Sequence, residues 1–215
     1  MRDTGGMTSL AQRERAALAD LLEEVGPDAP TLCGDWTTRD LAAHLLVRER
    51  SPAAAGIVVR PLGGWTERER ARTARRDYPR LVNDVRNGPP RWSPLRLSDL
   101  DKLVNTVEFF VHHEDVRRAA ADWQPRELDP ADDGAVWKAT RGRARMLLRH
   151  STVGVQLQTP DGRSAPGLAG SPTVTLEGAP GELLMYLHGR TERAIVEIHG
   201  DPEAVEAFRG TRLAV

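Results

Sequence analysis

The chain has 215 residues, 40% of them hydrophobic, so it can bury the core of one large domain or two small ones. Its 30 basic and 31 acidic residues leave a net charge of −1, which argues against nucleic acid or an anionic membrane as a partner. No apolar run could span a bilayer, charges interrupt the segment where a signal peptide is apolar, and a single cysteine excludes an intramolecular disulfide. These features predict a cytoplasmic protein.

Two helices are predicted in the first 50 residues. Thr8 or Ser9 is a suitable N-cap for a helix that ends near Val25, because leucines and alanines follow at helical spacing. Thr37 is the predicted N-cap of the second helix, and Asp40 stands three residues later, in a position typical of a capping box.

Two further helices follow in the sequence. Proline and glycine in residues 51–64 predict a long loop, and the charged segment from Thr66 to about Arg86 predicts a third helix with a solvated face. Ser98 is the expected N-cap of a fourth helix from Asp99 to about Ala121. Four helices of this length suit a bundle.

The pattern changes after the fourth helix. Residues 121–131 contain two prolines and no apolar periodicity, so they predict a linker. Asp129 and Pro130 begin a helix that reaches about His150. The elements predicted beyond it are strands in 152–159, 173–178 and 193–200 and short helices in 180–190 and 201–208. The glycine-rich residues 160–172 lack the lysine and the setting of a phosphate loop. We therefore predict a helical bundle in 1–125 and a small α+β domain in 128–215.

The stretch NTVEFFVHHEDVRRA, residues 105–119, places polar groups inside an apolar helical run. At about 100° per residue, Glu108, His112 and Asp115 share an arc of roughly 100° with the apolar Val111. His113 points roughly the opposite way, toward solvent or a neighbouring helix. The first three side chains are therefore expected to face inward.

The second helix shows the same anomaly. Leu41, His44, Leu45 and Arg48 have the i, i+3, i+4, i+7 spacing of a core-facing stripe, so His44 and Arg48 are also expected to point inward. Imidazoles, a carboxylate and a guanidinium in one core are unfavourable unless they pair with each other or bind something. A divalent metal would satisfy most of them.

Glu108 and His112 lie one helical turn apart, with Cβ atoms about 6 Å from each other, and His44 can complete the set from the facing helix. Two histidines and one glutamate leave a position open for water or substrate, which is typical of catalytic zinc. Iron(II) and nickel(II) are also compatible with these ligands. The same spacing also occurs on helices whose side chains are solvated or hydrogen-bonded to each other.

The roles of two neighbours stay open at this point. Asp115 can orient His112 or accept a proton, or it can form an ion pair with an arginine. Arg48 can form bidentate hydrogen bonds with a carboxylate or phosphate of a ligand, or it can pair with Glu108 or Asp115.

The loop TLCGDW precedes the second helix and contains Cys33 and Trp36. Cys33 has no histidine partner that the sequence reveals, so we interpret it as a small buried hydrophobe. Trp36 is interpreted as a core anchor and not as a platform for a ligand.

Taken together, WTTRDLAAHL and the downstream EFFVHHEDVRR resemble the actinobacterial family built on the metal-binding domain of mycothiol-dependent maleylpyruvate isomerase, within the DinB-like superfamily. GAPGELLMYLHGR followed by VEIHGDPEAVEAF is similar to the second domain of that family. The resemblance implies an α plus α+β architecture: a DinB-like four-helix bundle, then a small sterol-carrier-like α+β domain. It also implies one divalent metal, with zinc as first choice, on His44, Glu108 and His112.

Characterised members of this family use the metal to activate the thiol of mycothiol. The resemblance therefore implies a transferase or isomerase that acts with a thiol on a small anionic electrophile. The segment VRERSPAAAGI and the paired histidines 112 and 113 resemble a subgroup of unassigned activity, distinct from the isomerase proper, which leaves open whether maleylpyruvate is the substrate. The sequence does not indicate the oligomeric state. The alternatives are a non-catalytic small-ligand binding protein with a vestigial or structural metal site, and an interaction module whose inward polar groups satisfy each other.

Overall fold

The structure is a computed structural model that describes residues 9–51, 63–89 and 99–213, and of residues 99–104 it describes the backbone. The chain divides into two compact units, Met1–Trp123 and Gln124–Val215. Helices account for the first unit and a four-stranded sheet with helices for the second, which agrees with the predicted combination of α and α+β parts.

In the first unit, the described residues form the helices α1 (Leu10–Val25), α2 (Thr38–Arg50), α3 (Gly63–Ala74), α4 (Tyr78–Asn87) and α5 (Asp99–Arg117). The predicted caps of the first two helices are confirmed: Ser9 forms a capping box with Gln12, and the Thr37 amide donates to Asp40. The candidate caps Thr8 and Ser98, like most of the predicted loop in 51–64, lie outside the described residues.

The single helix predicted from Thr66 to Arg86 is wrong, because this segment contains two helices with a break at residues 75–77. Pro79 stands in the first turn of α4. In a continuous helix its ring would clash with the carbonyl of Arg75, and its missing N–H would leave that carbonyl without a partner. The described part of the bundle therefore has five helices and not four, and α5 ends four residues before the predicted Ala121.

The core of the first unit is built from leucine and aromatic side chains on four of its helices. α1 packs against α4 and α5, while α2 packs against α3 and α4. Fully buried members include Leu18 and Leu22 of α1, Leu41 and Leu45 of α2, Leu81 of α4 and Phe109 of α5. α2 and α5 both contribute to this core, and the polar side chains of the candidate site lie on these two helices.

The second unit begins with α6 (Pro130–Leu147), whose N-cap Asp129 accepts from the amides of Ala131 and Asp132 as predicted. The elements that follow are β1 (Gly154–Gln158), β2 (Ser164–Leu168), β3 (Thr173–Glu177), α7 (Pro180–Leu187), a 3-10 turn (Thr191–Arg193), β4 (Glu197–His199) and α8 (Pro202–Arg209). The sheet has the order β2-β1-β3-β4, with β1 and β3 parallel and the outer pairs antiparallel.

β2 is the element that the sequence analysis missed. Its sequence SAPGL contains a proline and a glycine, which normally argue against a strand. β2 lies at the edge of the sheet, where a proline can be tolerated because one side of the strand needs no ladder hydrogen bonds.

Among the helices of the described ranges, none combines the length and the apolar character that a bilayer crossing requires.

Candidate metal centre

Three side chains from two helices converge at one point of the first unit. His44 Nε2 of α2 lies 3.3 Å from Glu108 Oε1, and His112 Nε2 of α5 lies 3.1 Å from the same oxygen. The two imidazole rings meet edge to face, with centroids 5.3 Å apart. The structure thus brings together the three residues that the helical faces predicted as ligands.

These three residues have the chemistry of a divalent-metal site. Each offers one ligand atom, and the three atoms lie within 4.8 Å of one another. Zinc bonds of about 2.0–2.2 Å in tetrahedral geometry place ligand atoms roughly 3.3 Å apart, close to the spacings of both nitrogens from Glu108 Oε1. The residues therefore fit a divalent ion with little rearrangement.

The ionisation of these groups reflects burial and their mutual contacts. Burial lowers the pKa of His44, and the hydrogen bond to Glu108 does not reverse that effect. Burial alone would raise the pKa of Glu108, but hydrogen bonds from His112 and His44 and the charge of Arg48 bring it well below its ordinary value. Glu108 is therefore a carboxylate, the form that binds a metal.

Asp115 stands behind His112 and is fully buried. Its Oδ2 lies 2.9 Å from His112 Nδ1, so the carboxylate accepts a hydrogen bond from the Nδ1–H group. The other ring nitrogen, Nε2, then faces Glu108. Burial would lower the pKa of His112, but contacts with Asp115, Cys33 and Glu108 raise it well above its ordinary value. Of the roles that the sequence left open for Asp115, orienting His112 is consistent with this geometry.

Arg48 meets the other oxygen of Glu108. Its Nε lies 3.4 Å from Glu108 Oε2, and its Nη1 donates to Asn105 Oδ1 at 2.9 Å. Of the alternatives that the sequence left open, pairing with Glu108 is therefore present. The carboxylate is shared between two histidines on one oxygen and a guanidinium on the other.

Cys33 packs against the core, as expected of a small hydrophobe, but it also has polar partners that the sequence did not reveal. Its side chain is half-buried, its thiol donates to Asp115 Oδ2 at 3.0 Å, and Sγ lies 3.7 Å from His112 Nδ1. The loop is fixed in place because the Leu32 amide donates to the main-chain oxygen of Asp115 at 3.0 Å. No spacing rule could have revealed this contact, since residues 33 and 112 are far apart in sequence.

His113 lies away from these residues, as its helical angle predicted. It is buried, and its Nδ1 lies 2.7 Å from Glu14 Oε2 on α1. Its neighbour is therefore another helix and not solvent.

α3 contributes to the surroundings of His44 through Trp36, a contact that the sequence analysis missed. The Trp36 ring packs against the core as predicted, with its centroid 5.1 Å from that of His44. The guanidinium of Arg70, on α3, lies over the Trp36 ring, 4.9 Å from its centroid, and forms ion pairs with Asp40 and Glu67. α3 thus holds Trp36 against the histidine.

Comparisons with known proteins bear on the fold. No family model matches the chain, and no curated protein sequence matches it. A solved structure that is similar is the crystal structure of a histidine-to-alanine mutant of mycothiol-dependent maleylpyruvate isomerase. The TM-score is 0.59 at 15% identity, over 90% of this chain and 92% of that chain. The chain therefore shares the fold of this isomerase over nearly its whole length.

Proposed function

We propose that this chain is a divalent-metal-dependent enzyme, a transferase or isomerase that uses a low-molecular-mass thiol and acts on a small anionic electrophile. The observation that carries the proposal is the convergence of His44 Nε2, Glu108 Oε1 and His112 Nε2 from two helices, with Asp115 behind His112. The shared fold with a mycothiol-dependent isomerase supports the choice of a thiol, and mycothiol is the first candidate.

In this proposal, His44, Glu108 and His112 hold the ion, with zinc as first choice and nickel or iron compatible. A bound divalent ion supplies Lewis acidity and lowers the pKa of a coordinated thiol or water. Asp115 keeps the Nδ1 proton on His112, so that Nε2 presents its lone pair to the ion. His112 is thus oriented before an ion arrives, and its Nε2 proton, like that of His44, would be released on binding of the ion.

We assign Arg48 to the anionic group of the substrate. Asn105 and Glu108 engage Nη1 and Nε, which fixes the plane of the guanidinium beside the ligands. A guanidinium held in this way can meet a carboxylate or phosphate without first losing rotamer freedom. The reacting group of the substrate would then lie next to the activated thiol.

One observation favours the alternative, a non-catalytic small-ligand binding protein with a vestigial metal site. Glu108 accepts from both histidines and pairs with Arg48, so these polar groups satisfy one another without an ion. Such a network would persist in a protein that has lost its metal. Metal content after purification without chelators separates the two functions, because the enzyme is expected to contain about one ion per chain.

The thiol is tested by cobalt substitution. We expect mycothiol, or a simple thiol analogue, to produce a sulfur-to-cobalt charge-transfer band in the Co(II) protein. The experiment is carried out in a Cys33→Ser background, because the protein's own sulfur lies near His112 and could give a similar band. Absence of the band at saturating thiol would contradict the thiol-dependent function and leave metal binding intact.

A further inference from the structure

We propose that Cys33, His112 and Asp115 form a second cation position, which selects thiophilic ions and cannot be filled together with the first. The proposal rests on the proposed function only in that both positions use His112. The first position takes Nε2 of the ring, and the second takes Nδ1 on the opposite edge.

The three ligand atoms of the second position face one another at short range. Cys33 Sγ lies 3.7 Å from His112 Nδ1 and 3.0 Å from Asp115 Oδ2, and the nitrogen and the oxygen are 2.9 Å apart. Zinc-like bonds to sulfur, nitrogen and oxygen in tetrahedral geometry require separations of about 3.4–3.6 Å. Two of the three distances must therefore open by roughly 0.5 Å. Movement of the half-buried Cys33 can open its distance from Asp115, whereas the distance between His112 and Asp115 opens through small rotations of these two side chains.

Charge and softness distinguish the two positions. His44, Glu108 and His112 offer one anionic ligand, and Arg48 lies beside it. Cys33 as a thiolate and Asp115 as a carboxylate offer two, which together neutralise a divalent ion. A thiolate also prefers soft ions, so Cd²⁺ is expected at Cys33, while Ni²⁺ and Co²⁺ prefer the position with two imidazoles.

His112 makes the two positions mutually exclusive. A neutral imidazole has one nitrogen with a free lone pair, and the other nitrogen carries the proton. With an ion on Nε2, the Nδ1 proton is donated to Asp115, whereas with an ion on Nδ1 the Nε2 proton is donated to Glu108 Oε1, 3.1 Å away. Binding at the second position releases to solvent the thiol proton of Cys33 and, from a His112 ring protonated on both nitrogens, the Nδ1 proton. It also removes His112 from the first position.

The test is a Cd²⁺ titration of the full chain after its metal has been removed with a chelator. We expect a sulfur-to-cadmium charge-transfer band that saturates at one Cd²⁺ per chain. The band should persist in His44→Ala, which damages the first position, and disappear in Cys33→Ser, with at least tenfold weaker Cd²⁺ binding. In the zinc-loaded protein, Cd²⁺ should release zinc one for one.

Two results would overturn the inference: no sulfur band in the wild-type chain, or retention of zinc while Cd²⁺ binds at Cys33. Circular dichroism of each variant establishes that it is folded, and Cys33→Ala repeats the test without a serine hydroxyl. Failure of the proposed function is recognised separately. If His44→Ala binds zinc as tightly as the wild type, the first position is wrong, although the cadmium band can still be present.

Discussion

The two faces of α5 carry adjacent histidines with different surroundings. His112 has an acid at each ring nitrogen, and one of these acids, Glu108, also meets His44 from another helix. The contact of His113 is with Glu14 of α1, and both side chains are buried. Within the part of the chain that the structure describes, His113 belongs to no group of potential metal ligands. A buried histidine next to a carboxylate is therefore not by itself a candidate metal site, and His112 differs from His113 in that further potential ligands lie near its second ring nitrogen.

The largest expected effect separates the two histidines directly. His44→Ala and His112→Ala should each weaken metal binding by at least about a hundredfold, or about 2.8 kcal/mol, because each removes one of three ligands. His113→Ala is the matched control and should retain about one ion per chain. Elemental analysis of the three purified variants gives the result, and equal metal loss from His113→Ala would contradict the assignment of the two faces.

A substitution at the His113 face of α5 should change the stability of the protein. Glu14→Ala removes the acid that meets buried His113, which leaves a polar group without this partner and should lower the free energy of unfolding by about 2 kcal/mol. Metal content should not change. Urea denaturation with chelator present provides the measurement, and loss of metal in the folded variant would mean that the two faces are coupled.

Glu108→Gln tests the charge of the shared carboxylate while keeping its shape. We expect metal affinity to fall at least tenfold, about 1.4 kcal/mol, in competition with a chromophoric chelator. In a metal-free interaction module, the same change should instead lower the free energy of unfolding, because His44, His112 and Arg48 lose the carboxylate with which they pair. Undiminished affinity would show that Glu108 is not a ligand.

The smallest expected effect is a pH dependence of the metal-free chain. The pKa of His112 is raised in the folded state, so its protonated form contributes stability that is fully present below about pH 6.5 and is lost as the pH rises through the folded pKa. The pKa of His44 is lowered in the folded state, so the neutral form of His44 contributes stability that is present above about pH 6.5 and is lost as the pH falls through the folded pKa. Asp115→Asn should flatten the alkaline loss, and an unchanged slope would contradict the role of Asp115.

Local signals account for what the sequence could predict. Residues a few positions apart determine the caps at Ser9, Thr37 and Asp129 and the one-turn spacing of Glu108 and His112. Helical periodicity was enough to predict that His44 points into the bundle. The break before Pro79 was available from the same local rules and was missed.

Long-range contacts account for the rest. Cys33 reaches Asp115 only because a backbone hydrogen bond ties its loop to α5, and no periodicity encodes that bond. Arg48 could meet several carboxylates, and its choice of Glu108 depends on how two helices pack. β2 needs an edge position to tolerate its proline, which is a property of the assembled sheet.

The break between α3 and α4 also determines what can surround α2. An unbroken helix from Gly63 to Asn87 would be a straight rod of about 37 Å, whereas α2 with its 13 residues is about 20 Å long. A rod of that length would overshoot α2 if the two lay side by side. The chain reversal at residues 75–77 instead lets two short helices flank α2, one carrying Arg70 toward Trp36 and the other packing Leu81 into the core. Pro79, which is not a proposed ligand, thus helps to determine the surroundings of His44.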